Sequence, residues 1–233
     1  MHVLQVTPRY FPNIGGVEIV VQRISEMLVA RGIKATVYSI DLSSASPRLQ
    51  NINGVVVKRF SSVLDDPFYI PEPKFVTSLR REEADIIHVH NIHTLLPFIM
   101  ALCKCRGQKL LLHSHYHRFG QSPLRYSLLR LYRYGLSNVF FSRVEAIIAN
   151  SAYENRILCE DFPKFRNVFM IPEGMDVDEV KHVKHDPLEP KRILYVGALR
   201  RYKNVDKILE GFAYLIKNRN TQYRLVIVGE GAE

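Results

Sequence analysis

The sequence predicts an α/β fold built on a doubly wound parallel sheet. Three observations carry that expectation. Strand-like and helix-like segments alternate along most of the 233 residues. Several strand candidates, among them "KATVYSI" and "KLLLHSH", are largely continuous runs rather than polar–apolar alternations, as in parallel strands covered on both faces. The first strand also leads through a glycine-bearing loop straight into an amphipathic helix, which is the opening of a doubly wound unit.

The elements follow in order. "HVLQV", rich in β-formers, predicts a first strand at 2–7. In "VEIVVQRISEMLVARG", Val17, Val20, Val21, Ile24 and Leu28 recur at helical spacing with Gly32 as a stop, which predicts a helix over 17–31. Further strands are expected at "KATVYSI" from Lys34, "VVVKRF" from Val55, "DIIHVH" from Asp85, "KLLLHSH" from Lys109, "EAIIAN" from Glu145 and "NVFMIP" from Asn167. Helices are expected near 73–82, 94–106, 124–142 and 152–161. Glu173 to Arg192 is polar, charged and carries two prolines, so it reads as a linker. Beyond it, "RILYVG", "NVDKILEGFAYLIKN" and "YRLVIVG" form one strand–helix–strand unit. The division is a first domain over 1–175, a linker over 176–190, and the start of a second, incomplete domain over 191–233.

Composition bounds the function. With 47% hydrophobic and 24% charged residues, the chain can bury a core like an ordinary globular protein. No apolar run is long enough to span a bilayer and no signal-peptide pattern opens the chain. Cys103, Cys105 and Cys159 have no disulfide-framework spacing, which fits a reducing compartment, and a cytoplasmic location is expected. The net charge of +9 leaves an anionic ligand, a nucleic acid and an anionic membrane surface open. Basic residues occur only in short doublets such as Arg80-Arg81, and no recognition motif appears, so nucleic acid is not expected.

Four motifs could carry chemistry. The loop "YFPNIGGVE" places Gly15 and Gly16 at a helix N-terminus. Paired glycines there expose backbone N–H groups to an anion, or else mark a tight turn with positive φ. A dinucleotide fingerprint would need a shorter loop and a third glycine, although Asp41 does follow the second strand. His88, His90 and His93, with His113, His115 and His117, are spaced so that members of each set share a strand face. That raises a zinc site. No Asp or Glu lies beside either cluster in the sequence, so no metal is expected, and a single histidine at a strand end is the better reading. Leu124, Leu128, Leu131, Gly135 and Val139 are expected to face the core, with Arg125, Arg130 and Arg133 on another arc. Such a helix can lie on an anionic membrane or simply be solvated. Finally, Arg200, Arg201 and Lys203 gather after the strand ending at Gly197, just before a helix, as a phosphate-binding loop would.

Taken together, "FPNIGGVE", "ADIIHVHN", "LLLHSHYH", "AIIANSAYE", "IPEGMDVD" and "ILYVGALRRYKNVDKILEGF" with "LVIVGEG" resemble, in this order, glycosyltransferase family 4, the group 1 glycosyltransferases of the GT-B fold. The resemblance runs over essentially the whole chain. It implies two Rossmann-like domains facing across a cleft, the second binding a nucleotide-sugar donor and the first mainly the glycan or lipid-linked acceptor. It also implies sugar transfer with retention of configuration and without a metal or other cofactor. Under it, Gly15 and Gly16 match the loop that approaches the donor diphosphate, His115 the histidine near the reacting sugar, and Lys203 the lysine pairing with the diphosphate. Peripheral contact with the inner face of a membrane, through the helix of Arg125, Arg130 and Arg133, accompanies this reading.

Departures from the family pattern are specific. Ala198 stands where an arginine is usual, leaving Arg200 or Arg201 to substitute, and Glu173 stands where asparagine is usual. The glutamate pair that holds the donor sugar and ribose would lie beyond residue 233, so this chain alone is expected to be inactive. A non-catalytic domain binding a nucleotide-sugar or polyphosphate, and a non-hydrolysing epimerase, stay open as alternatives.

Overall fold

A computed structural model describes the chain except residues 41–45, 65, 67, 119–122, 132–134, 136–139, 176, 180, 183–190, 220–222 and 232–233. Asp41, Arg133 and most of the expected linker therefore lie outside the described residues, as do the side chains of Arg125 and Leu128. The chain forms two compact units, Met1–Gly174 and Met175–Glu233.

The first unit is an eight-stranded sheet. In chain order its strands are β1 (His2–Thr7), β2 (Lys34–Ile40), β3 (Leu49–Ile52), β4 (Val55–Phe60), β7 (Ile86–His90), β8 (Lys109–His113), β9 (Ala146–Ala149) and β10 (Val168–Met170). Two short strands, β5 (Ser62–Leu64) and β6 (Ile70–Pro71), pair apart from it. The spatial order is β10-β9-β8-β7-β1-β2-β4-β3. All neighbours are parallel except β3, which folds antiparallel onto β4. The β3–β4 turn is made by Asn53 and Gly54, both at positive φ (51° and 83°), as a tight hairpin requires. β3 was not among the expected strands.

Helices of this unit are α1 (Gly16–Ala30), α2 (Pro73–Arg80), α3 (Leu96–Cys103), α4 (Pro123–Leu131) and α5 (Ala152–Asp161). Side chains of β2 alternate between two apolar clusters. Tyr38 and Ile40 join Leu4, Val6, Ile87, Val89, Leu110 and Leu112 together with α2, α3 and α5 residues such as Phe75, Met100 and Ile157. Val37 joins Val55, Val57 and Val21 of α1. Two apolar layers separated by one sheet make the fold doubly wound, because central strands such as β1 and β2 bury both of their faces. α4 departs from expectation. Leu124 and Leu131 are 50% and 51% exposed, and neither core cluster contains an α4 residue among the described residues. Helical spacing marks one stripe of a helix, not what covers it, and here Leu124 and Leu131 stay outside both core clusters.

The second unit is a parallel pair, β11 (Arg192–Val196) and β12 (Arg224–Val228), joined through α6 (Val205–Arg219). The loops after the two strands are zipped by their backbones: the Gly197 amide donates to the Val228 carbonyl at 3.0 Å and the Leu199 amide to the Glu230 carbonyl at 2.9 Å. A side chain on Gly229 would overlap the Gly197 carbonyl, and one on Gly231 the Leu199 carbonyl, so these glycines are required by close approach.

Candidate active site

In an open parallel sheet, ligands collect at the carboxyl ends of the strands where the order reverses. Here the chain runs outward from β1 through β2 and β4, then returns to place β7 on the other side of β1. The reversal thus lies between β1 and β7. Register puts Gln5 opposite His88, and His90 opposite His113. Parallel partners and alternate residues share a face. Gln5, His88, His90 and His113 therefore line one face at this point, while Leu4, Ile87 and Leu112 on the other face join the core.

Past β8 the chain turns sharply at His115, which has φ 45°, the left-handed region that costs a side chain about 1–2 kcal/mol. Its ring stacks on His113 with centroids 4.4 Å apart and planes 10° from parallel. The hydrogen-bond network assigns the tautomers. The Gln5 side-chain oxygen can only accept, so His90 Nε2, 2.8 Å away, carries a proton. His90 Nδ1 then accepts from His115 Nε2 over a long 3.4 Å. His115 Nδ1 accepts from the Asn150 amide at 3.2 Å, and that amide also donates to Glu173 at 2.8 Å. Asn150 Oδ1 accepts from His113 Nε2.

These imidazoles are neutral. Burial pushes His88 and His115 down to about 3, His90 well below its ordinary value, and His113 down as well. Glu173 is pushed up, by burial and then by the Glu154 charge. His115 Nδ1 and Glu173 Oε1 are 3.4 Å apart, but with His115 neutral this is proximity of two acceptors sharing the Asn150 donor, not an ion pair.

Glu154, buried at 6% exposure, anchors the turn. It accepts from the Ser114 hydroxyl at 2.5 Å, the Tyr116 backbone amide at 2.6 Å and the Asn150 backbone amide at 2.9 Å. Its own amide is capped by the Ser151 hydroxyl at the start of α5. Sequence reasoning reached His115 but not Gln5, Asn150 or Glu154. The Ser-x-x-Glu pattern of residues 151–154 marked a helix start, yet gave no sign that its carboxylate reaches across to β8. The expected lack of an acid beside the histidines is also corrected. Glu173 arrives from after β10, and His113, His115 and Glu173 each offer a ligand atom within 4.8 Å of the others. The same holds for His88, His90 and His113, though these are fully buried and His90 Nε2 is bound to Gln5.

The other expected residues are placed as follows. Gly15 caps α1 with extended φ of −171°, and Gly16 is the first helical residue. Neither has positive φ, so a turn requirement does not explain the pair. A side chain on Gly16 would meet nothing within 4 Å, whereas one on Gly15 would run into the Glu18 carboxylate. The loop before them is pinned from below: buried Arg59 donates to the Phe11 carbonyl at 2.7 Å. In the second unit, Arg200, Arg201 and Lys203 are exposed on an extended residue and a single 3₁₀ turn (Arg201–Lys203) leading into α6. Asn204, at φ 52°, makes the junction and accepts from the Lys207 amide. On α4, Arg130 is exposed.

This strand order and two-unit build is the GT-B architecture of group 1 glycosyltransferases. Residues 14–179 match Glycosyltransferase Family 4 and residues 176–233 match glycosyl transferases group 1, and the chain belongs to Glycosyltransferase Family 4. It is 22% identical over 96% of its length to an uncharacterized glycosyltransferase of Methanocaldococcus jannaschii, covering 62% of that protein. It is 26% identical over 99% of its length to the O-antigen chain mannosyltransferase C of Escherichia coli, covering 61% of it. The chain thus spans about three fifths of these relatives. Anabaena HepE, solved with UDP and glucose, shares the fold at a TM-score of 0.69 and 17% identity, over 100% of this chain and 62% of that one.

Proposed function

We propose that the full-length protein moves a sugar from a nucleotide-sugar donor to a glycan or lipid-linked acceptor with retention of configuration. The observation that carries this reading is His115, held neutral in a strained turn after β8 and against His90 at the end of β7, with Asn150 and Glu173 beside its Nδ1. A sugar hydroxyl there can donate to Glu173 or His115 and accept from Asn150. As the glycosidic bond breaks, positive charge builds on the sugar; a neutral imidazole and a carboxylate tolerate it where an imidazolium would oppose it. Negative charge builds on the leaving diphosphate. Within the second unit, Arg200, Arg201, Lys203 and the N–H groups that open α6 can meet it. That set of donors calls for no metal in the transfer.

Two relatives support the substrate class. HepE was solved with UDP and glucose, and the Escherichia coli relative is a mannosyltransferase of O-antigen, which points to a hexosyl donor and cell-envelope polysaccharide. No helix of the described residues is long and apolar enough to cross a membrane. We read the protein as cytoplasmic, with α4 as its contact with the membrane: Leu124, Tyr126 and Leu131 are exposed beside Arg130. The competing reading, a non-catalytic nucleotide-sugar or polyphosphate-binding domain, is favoured by Ala198 in place of the usual arginine. Incubation of the full-length protein with a panel of nucleotide sugars and glycan or lipid acceptors separates them. Acceptor-dependent release of nucleotide diphosphate supports transfer. Donor binding with no release for any acceptor supports the binding domain.

A further inference from the structure

We infer that His113, His115 and Glu173 form a binding site for a divalent transition metal, zinc above all, which occupies the pocket in competition with Asn150. This inference does not depend on the transfer reaction.

The geometry is already close to that of a metal centre. Two ligands each about 2.0–2.1 Å from a tetrahedral ion stand about 3.3–3.4 Å apart. His115 Nδ1 and Glu173 Oε1 are 3.4 Å apart, and His113 supplies a third atom within 4.8 Å of both. Two imidazoles and one carboxylate are a ligand set for zinc and its neighbours in the first transition row, not for magnesium or calcium, which take oxygen. Glu173 is 37% exposed and His115 13%, so the centre has an opening through which an ion and a fourth, solvent ligand can enter.

One neutral group now serves all three atoms. The Asn150 side chain accepts from His113 Nε2 and donates to His115 Nδ1 and Glu173 Oε1. A dication placed there would meet the same lone pairs with full charge, and would partner a half-exposed carboxylate that now faces the Glu154 charge with the Asn150 amide as its hydrogen-bond donor. Binding requires the Asn150 amide to turn aside and the His113 proton to pass to Nδ1. His115 and Glu173 would then be held on the ion and closed to any other ligand.

The test is zinc titration of the full chain, without a polyhistidine tag, by calorimetry, with magnesium as control. The expected result is one zinc per chain bound below about 100 µM and no response to magnesium. Glu173→Gln, which keeps the shape of an exposed side chain, weakens zinc at least about tenfold. Asn150→Ala, which clears the centre, binds at least as tightly as the parent. Absence of saturable binding in that range overturns the inference. So does binding unchanged by Glu173→Gln, which would move the ion elsewhere, for example to Cys103 and Cys105.

Discussion

Glu154 Oε1 lies 2.6 Å from the backbone nitrogen of Tyr116, the residue immediately after His115. The same oxygen takes the hydroxyl proton of Ser114, the residue immediately before it, at 2.5 Å. A single buried carboxylate therefore grips the chain on both sides of a residue at φ 45°. Left-handed backbone in a residue other than glycine persists where its surroundings impose it. Here the imposing group is Glu154.

Replacing Glu154 with alanine should accordingly do two things. It leaves the backbone amides of Tyr116 and Asn150 without their acceptor, while the Ser114 hydroxyl can still turn to the Ile148 carbonyl, and should cost about 2–4 kcal/mol of stability. It should also let His115 drift, lowering the rate of the proposed sugar transfer by the full-length protein more than its donor affinity. Glu154→Gln keeps the size but presents an amide to backbone donors, so it should recover only part of both. Chemical denaturation beside steady-state kinetics checks this. An alanine variant of normal stability would show that the clamp is idle.

Gly16 offers a cleaner probe of the glycine loop. It is helical and a Cβ there meets nothing within 4 Å. Gly16→Ala should leave the fold intact and stabilise it by about 0.4–1 kcal/mol, since the unfolded chain loses freedom. If a diphosphate approaches this backbone, the same variant should lose donor affinity while melting at the same or a higher temperature. Full affinity would remove Gly16 from the site.

Much of the architecture was legible because its signals are local. The strands at 2–7, 34–40 and 55–60 coincide with β1, β2 and β4, whose apolar runs are long and bounded, and the helix over 152–161 coincides with α5, whose Ser151 cap and Glu154 announce it. β3 was missed because four residues carry no clear period, although the Asn53-Gly54 pair is a hairpin signal that could have revealed it. Leu124 and Leu131 of α4 were expected in the core and are exposed, because spacing shows which residues share a face, not what covers it. At the site, residue type marked only a histidine at a strand end, and the family resemblance singled out His115. Its partners His90, Asn150 and Glu173, and the Gln5 that holds His90, come from four separate segments, and only strand order brings them together.

The neutral histidines give the protein a pH dependence with a definite sign. His88 and His115 are pushed down to about 3, while His90 and His113 are lowered too. A base whose pKa is depressed by folding is more easily protonated in the unfolded chain. Its stabilising contribution is complete above the unfolded value of about 6.5 and is lost as pH falls toward the folded one. Each such histidine adds up to about 1.4 kcal/mol per pH unit to the slope. Glu173, pushed up, works in the opposite direction and offsets part of this. The melting temperature should fall steeply between about pH 6.5 and pH 4.5, and His88→Asn should flatten the fall. A stability that is level across this range would mean that the histidines are hydrated in solution.

His115 is the group proposed to meet the reacting sugar, and the kinetics of His115→Ala in the full-length protein test that role most directly. With nucleotide sugar and acceptor supplied, the variant should release nucleotide diphosphate at least about a hundredfold more slowly, with donor affinity changed only slightly, because the lost contact belongs to the transition state. Normal turnover by a correctly folded His115→Ala protein would contradict the account and leave His115 as a structural member of the histidine cluster.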